Sequence, residues 1–379
     1  MVISFKDGLK LFGIIIVVFC AVFVCTFFLN FYLDAIAIKD TVLPEQQVLY
    51  DAQLATAKVV CAISGGFLAL IAIVMTIFYI KLYVDGHMRQ LGILKAMGWS
   101  NKKIALRFWV FGLSVFIGAA LGFGAGYIAM PFVYDGLTIE TLSVEIHFHA
   151  TLLIFLVAVP TVLYSLLSCG YAFLALRRPV TDMLKGRTKN KKRKEKPAKA
   201  GKERSFLVEM GVKTVGGKKL LAFFVAFACF CFSAMVQMGA SMKQLSTDTM
   251  GLMILIIGIV LAVTTMFMAV TSLIRSNLKN VSMMKVFGYS MKECALSVFG
   301  GYVPIAFLGF ALGTVYQYGL LRLMVDIVFK EVGTMPDYSF NVPVFFITLA
   351  CFVVLYGALM TAYAFKLNKV SVKEVMLEN

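Results

Sequence analysis

The sequence predicts an all-α integral membrane protein with eight transmembrane helices, arranged as a 4+4 pseudo-symmetric tandem repeat with short extracellular loops. Three observations predict it: an apolar composition, eight long stretches free of charge, and a short segment that recurs in the second half. Of the 379 residues, 60% are hydrophobic and 15% charged, and the mean hydropathy is +0.88. An ordinary soluble domain is far less apolar. The stretches free of Asp, Glu, Lys and Arg are Leu11 to Leu33, Val59 to Ile80, Phe108 to Tyr134, Ala150 to Leu176, Leu220 to Met242, Thr249 to Ile274, Cys294 to Leu321 and Tyr338 to Phe365. Each holds 22 to 28 residues, and a bilayer core about 30 Å thick needs about 20 helical residues. The first run, 23 residues long, exceeds the roughly 7 to 15 of a secretory signal and has no small-residue cleavage pattern after it, so it reads as the first spanning helix.

Charge sets the orientation, because short loops rich in Lys and Arg stay in the cytoplasm. Placing both termini and segments 81–107, 177–219 and 275–293 on one side collects 31 of the 36 basic residues there. The loops opposite hold 5 basic and 11 acidic residues, so the net charge of +16 reflects topology. The expected location is the plasma membrane, with both termini cytoplasmic. The densest basic run, Lys185 to Arg204, has 11 Lys or Arg in 20 residues and no aromatic to stack on bases. This excludes a nucleic-acid reading and favours a solvated cytosolic linker, with anionic lipid headgroups as the other contact. The expected domains are therefore 1–184 and 205–379, joined by linker 185–204.

The remaining chemistry is sparse. Eight cysteines (Cys20, Cys25, Cys61, Cys169, Cys229, Cys231, Cys294, Cys351) lie in or beside the spans with no CxxC pair, and read as small apolar packers. His147 and His149 sit together before the fourth span and His87 lies in a cytosolic loop; without a third ligand they read as interfacial residues and no metal site. None of the eight stretches contains a charge, which disfavours an ion-driven carrier. Their polar residues, Thr76, Ser114, Thr161, Ser165, Gln237, Thr264, Thr265 and Gln317, are expected mostly to bond between helices.

Two segments repeat. At an offset of 190, "RQLGILKAMGWSNKKI" (Arg89 to Ile104) aligns with "KNVSMMKVFGYSMKEC" (Lys279 to Cys294), matching Lys95 with Lys285, Gly98 with Gly288, Ser100 with Ser290 and Lys102 with Lys292. Trp99 faces Tyr289, and Met97 faces Phe287. At an offset of 192, "YAFLALRRPVTDML" (Tyr171 to Leu184) aligns with "YAFKLNKVSVKEVM" (Tyr363 to Met376). The same order at equivalent places implies two halves of like orientation, related by an axis along the membrane normal. Within the first segment the helical spacing continues from the second span through Leu91, Leu94 and Lys95. Gly98 falls where a left-handed cap belongs, and Ser100 restarts a helix. In the second copy Ser290 and Glu293 form an S-x-x-E capping box.

These residues carry a family resemblance. "RQLGILKAMGWSNKKI" resembles the cytosolic segment of FtsX/MacB-like ABC-transporter permeases, roughly R-E-I-G-[IL]-[LM]-[KR]-A-[LMI]-G-[AW]-[ST]. "RRPVTDML" and "KVSVKEVM" resemble the tail after that family's fourth helix. The resemblance covers almost the whole chain as two FtsX-like domains in tandem. It implies that the segment between the second and third helices of each domain sits on a cytosolic ATP-binding subunit, with two ATPase copies per chain. The coupling residues it implies are Gly92, Leu94, Lys95, Met97, Gly98, Trp99 and Ser100, with Met284, Lys285, Phe287, Gly288, Tyr289 and Ser290 in the second copy. Gln90 and Asn280 replace the family's acidic residue and Ser282 its first Gly, so the second copy is the looser match. No GxxxxGK[ST] run occurs, so ATP and Mg are expected in the partner and no cofactor or catalytic residue in this chain.

The outer loops run from 6 to 25 residues, too short for an independent folded domain. This favours work by the helices themselves: export or extraction of an amphipathic peptide, antimicrobial or lipid-like molecule at the outer leaflet, to which 34 Phe and 21 Met are suited, although lipid-facing and core packing explains them as well. The alternatives are a mechanotransmitting or sensory module acting on a kinase or cell-wall enzyme, and a carrier or channel independent of ATP. Gly118, Gly122 and Gly126, and likewise Gly309 and Gly313, have the spacing of close helix contacts, either between the halves or within them. Pro160 and the Gly300, Gly301, Pro304 cluster mark hinges or static kinks.

Overall fold

Backbone amides in hydrocarbon must bond internally, and the chain meets this demand with helices throughout the membrane. The computed structural model describes residues 5–39, 47–137, 145–184, 206–242, 248–328 and 339–368. Linker 185–204 and the second tail segment, 369–376, lie outside them. The chain divides into two compact units, Met1–Lys196 with Asp326–Met335, and Pro197–Val325 with Pro336–Asn379. Among the described residues eight helices are long and apolar enough to cross a membrane, as expected.

In the first unit the spans are α1 (Phe5–Ala37), α2 (Gln47–Gly86), α5 (Val110–Leu137) and a fourth helix built from α6 (Ala150–Leu153), a π turn (Ile154–Ala158) and α7 (Val159–Ala175). Short helices α3 (Met88–Ala96) and α4 (Asn101–Leu106) link α2 to α5 through a 3-10 turn at Arg107–Trp109, and α8 (Val180–Leu184) follows α7. In the second unit α9 (Phe206–Gly217) precedes the spans α10 (Lys219–Met242), α11 (Asp248–Val286), α12 (Met291–Gly300) continuing as α13 (Val303–Val328), and α14 (Val342–Asn368).

The second helices are longer than their charge-free stretches. α2 has 40 residues, about 60 Å at 1.5 Å per residue, twice the hydrocarbon thickness. Its ends are helix-forming but polar, so a search for uncharged windows truncates them. The expected continuation of this helix to Gly98 holds in the second unit, where α11 runs unbroken to Val286. In the first it breaks at Gly86 and His87, and α3 restarts at Met88. Gly86, a weak helix former, stands where the second copy has Ser276. The other expected irregularities fall where the sequence marks them: Pro160 lies two residues after the π turn, and the seventh span is interrupted between Gly300 and Val303.

Small residues set the packing within each unit. A Cβ on Gly118 would meet the Ile15 carbonyl oxygen at 2.7 Å, and one on Gly122 the Phe19 carbonyl oxygen at 2.5 Å, so α5 lies directly against α1. In the second unit a Cβ on Gly313 would meet the Phe230 carbonyl oxygen at 2.5 Å, which places α13 against α10 in the same way. Both glycine series therefore pack inside their own units.

Two expectations need correction. Four of the eight polar residues named from the sequence bond to their own helix: Ser114, Thr161 and Thr264 each donate to the carbonyl four residues back, and Thr265 to the one three back. A hydroxyl one turn from a carbonyl needs no second helix. The longer amides do cross, Gln237 donating to Thr314 at 2.9 Å and Gln317 to Ser241 at 3.4 Å. Also, the spans are not free of charge. α1 continues past Leu33, and its last turn holds Asp34, 1% exposed and paired with His149 at 2.8 Å. His149 is thereby more than an interfacial residue.

The glycine contacts make a specific prediction. Gly122→Leu should cost about 1–3 kcal/mol through overpacking, read as a lower melting temperature of the detergent-solubilised chain. Gly124→Leu, on the open face where an added Cβ meets nothing within 4 Å, should stay within about 0.5 kcal/mol of the parent.

Candidate coupling site

The repeated segment folds into the same object twice. At the end of α3 the Gly98 amide donates to the Lys95 carbonyl (3.1 Å) and the Trp99 amide to the Leu94 carbonyl (3.2 Å). The second copy repeats both bonds: Gly288 to Lys285 at 3.0 Å and Tyr289 to Met284 at 3.1 Å. This paired closure satisfies the last carbonyls of a helix and requires a left-handed residue after it. Gly98 and Gly288 supply it with φ of 89° and 86°. A Cβ at either would meet nothing within 4 Å, so the glycine is required for its backbone angle and not for space.

The next helix is capped in both copies. The Ser100 hydroxyl accepts the Lys103 amide at 3.3 Å. Ser290 accepts the Glu293 amide at 3.4 Å, while its own amide and hydroxyl donate to the Glu293 carboxylate at 2.9 and 2.8 Å, completing the expected capping box. Those two bonds hold the Glu293 carboxyl below its ordinary value.

The tip of each turn is apolar and exposed. Met97 is 62% exposed, Phe287 79% and Trp99 36%. The Arg107 guanidinium lies over the Trp99 ring, 4.7 Å from its centroid, and fixes the indole against the start of the next span. Tyr289 is half-buried, Leu94 half-buried, and Ser100 and Ser290 exposed.

Other implied residues face inward. Gly92 is buried in α3, and a Cβ there would meet the Met183 Cβ of α8 at 3.0 Å, so its absence lets the two helices touch. Met284 is buried, as is Ser282 at the position matching Gly92. Lys285 is half-buried. The Lys95 ammonium donates to the carbonyls of Leu176 and Arg178, both at 2.8 Å, at the end of α7. A cation is favoured at a helix C-terminus, where carbonyls lack partners. Arg178 in turn lies 3.7 Å from Asp85 at the end of α2. The turn is thus clamped to the ends of the second and fourth helices by Lys95, Asp85 and Arg178. The sequence reading missed Asp85 and Arg178. Their only local signal was a charge beside a helix end, since the partners lie roughly ninety residues apart in the chain.

The capping box gives a pH dependence. A carboxyl with a lowered folded-state value stabilises the cap above the ordinary glutamate value and loses that contribution as the pH falls through the lowered one. Amide exchange at residues 291–293 should therefore speed up, beyond its intrinsic change, below about pH 4. Glu293→Gln should remove this step.

No curated protein and no solved structure matches the chain. A family model described as FtsX-like permease C-terminal matches it twice, over residues 62–180 and 252–372, each match containing one of the two turns. The chain belongs to the FtsX-like permease family.

Proposed function

We propose that this chain couples ATP binding and hydrolysis in two copies of a cytosolic ATPase to export or extraction of an amphipathic or hydrophobic substrate at the outer leaflet. FtsX-like permeases are membrane components of ABC systems and generally partner with an ABC ATPase, so the chain is a multi-pass membrane subunit of an ABC-type transporter and not the catalytic one. The observation that carries the finer reading is the exposed apolar tip at each left-handed turn. Met97 and Phe287 present large side chains to the surface at matching positions, and Trp99 does so beside Met97, as the centres of protein interfaces do. In this reading each tip seats on one ATPase copy, ATP and Mg reside in that partner, and both turns face the cytosol of a plasma membrane.

Buried residues would then support the contact. Gly92 and Met284 hold the turn against its own unit, and Lys95 passes displacement of the turn to the fourth helix through the Leu176 and Arg178 carbonyls. The short outer loops support a substrate drawn from the bilayer, because they leave the helices as the moving surface.

Reconstitution of the chain with its ATPase tests this. Trp99→Ala or Phe287→Ala should weaken association by about tenfold or more, at least ~1.4 kcal/mol. Gly98→Val or Gly288→Val, strained at positive φ by about 1–2 kcal/mol, should lower both association and coupled turnover. Lys95→Met should bind the ATPase nearly normally while lowering coupled turnover, since it leaves the tip intact. Failure of the parent chain to bind any ABC ATPase would overturn the reading. Binding with ATP turnover but no substrate movement in proteoliposomes would favour the mechanotransmitting alternative.

A further inference from the structure

The second helices of the two units differ in continuity at one aligned place, and in the second unit a lysine from another element sits there. Extended one turn back, the offset of 190 that aligns the two turns sets Gly86 and His87 against Ser276 and Asn277. Both of the latter side chains in each pair reach back one turn: His87 Nδ1 lies 3.0 Å from the Tyr83 carbonyl oxygen, and Asn277 Nδ2 donates to the Leu273 carbonyl at 2.9 Å. Side chains that bond the backbone in this way compete with the helical ladder, and Gly, His and Asn are weak helix formers. The local sequence therefore weakens both helices at the same position. In the first unit the helix gives way: His87 has φ −114° and ψ 20°, and α3 starts anew at Met88. In the second, α11 runs through to Val286.

Lys218 accounts for the difference. It stands between α9 and α10, half-buried, and its Nζ donates to the Ser276 carbonyl and to Asn277 Oδ1, the latter at 2.7 Å. Asn277 is wholly buried, so its amide oxygen needs a partner from the protein. A helical carbonyl keeps a second lone pair for such a donor without giving up its own helical bond. One ammonium thus holds two successive residues of α11. Bending the helix between them would pull apart hydrogen bonds from a charged donor, the stronger kind.

The corner that carries Lys218 is itself anchored. The Leu221 and Ala222 amides donate to the Lys218 carbonyl at 2.9 and 3.1 Å, which starts α10, and the Lys218 amide donates to the Val215 carbonyl at 3.1 Å, which ends α9. A Cβ on Gly211 of α9 would meet the Ser297 carbonyl oxygen of α12 at 2.6 Å, so α9 lies directly on the helix that leaves the Gly288 turn. The two arms of that turn, α11 and α12, are therefore both tied to the α9 corner, one by the Lys218 ammonium and the other by backbone contact.

We propose that Lys218 is a positioning residue that splints α11 at a latent hinge, Ser276–Asn277, so that the second turn is a rigid extension of its spanning helix while the first is jointed at Gly86 and His87. Displacement at the Phe287 tip then passes straight into α11. Displacement at the Met97 tip is released from α2 at the joint and passes through Lys95 to the fourth helix. The two turns drive different helices. The splint stands apart from the coupling scheme, and its part in transmission rests on that scheme.

Amide hydrogen exchange of the full chain in lipid nanodiscs, without ATPase or nucleotide, reads the splint. After correction for intrinsic rates, residues 278–281 should be better protected than residues 88–91, and equal protection in the parent chain would overturn the proposal before any variant is made. Lys218→Met should speed exchange at 278–281 about tenfold, as loss of a hydrogen bond from a charged group does, and leave the Gly288 and Tyr289 amides unchanged. Adding Asn277→Leu replaces a weak helix former by a strong one and should restore the protection, a rescue that a general loss of packing would not allow. Gly86→Ala, where an added Cβ meets nothing within 4 Å, should slow exchange at 88–91 about two- to fivefold. Unchanged exchange at 278–281 in Lys218→Met, or no rescue by Asn277→Leu, would overturn the splint. With the ATPase reconstituted, Lys218→Met should keep its association and lose coupled turnover; raised exchange beside unchanged turnover would overturn the part in transmission. A parent chain that binds no ATPase would fail the coupling scheme and leave the exchange result standing.

Discussion

Every structural choice in this chain depends on one constraint: backbone amides and carbonyls inside hydrocarbon must find partners within the protein. Continuous helices satisfy it for the spans, so breaks are informative. They occur where other groups take up the freed backbone. The Gly98 and Gly288 turns close their own last carbonyls, Ser100 and Ser290 cap the next helices, and Lys95 covers the carbonyls released at the end of α7. A helical hairpin at a membrane surface could be closed in many ways. The same closure twice, each time with an exposed apolar tip, makes the turn a rigid object that a partner can push.

Rigidity alone would move nothing; in the proposed coupling the interior connections would carry displacement away from the turn. Gly92 lets α3 rest on α8, and Lys95 joins α3 to the end of α7. Gly118 and Gly122 bring α5 against α1 with no side chain between them. Close-packed helices with direct backbone contact transmit displacement better than helices spaced by flexible side chains. The π turn at Ile154–Ala158 and Pro160 place the irregular part of the fourth helix between its two anchored ends. Turns of this kind mark positions where a helix can change its winding.

Much of this was legible in the sequence, for identifiable reasons. Charge-free runs find spans because lipid penalises charge, and Gly98, Ser290 and Glu293 announce their turn because capping depends on residues within one turn of each other. Asp34 was missed because a window that stops at the first charge ends one turn too soon, and the charge it excludes is buried by residues 100 or more positions away. Lys95 was recognised as part of the segment, but its carbonyl partners lie more than 80 residues on. The break at Gly86 was hidden because the second copy, with Ser276, runs straight through. Local grammar is readable; pairings across helices require the fold.

The central claim is that both turns seat on the ATPase. Cysteines placed at Met97 and at Phe287, one at a time in a chain cleared of its eight native cysteines, can be crosslinked to the ATPase in the assembled, nucleotide-bound complex and resolved by mass. The account predicts that each position captures one ATPase copy and that the double variant captures two. Capture at neither position, while the complex remains assembled, would contradict it.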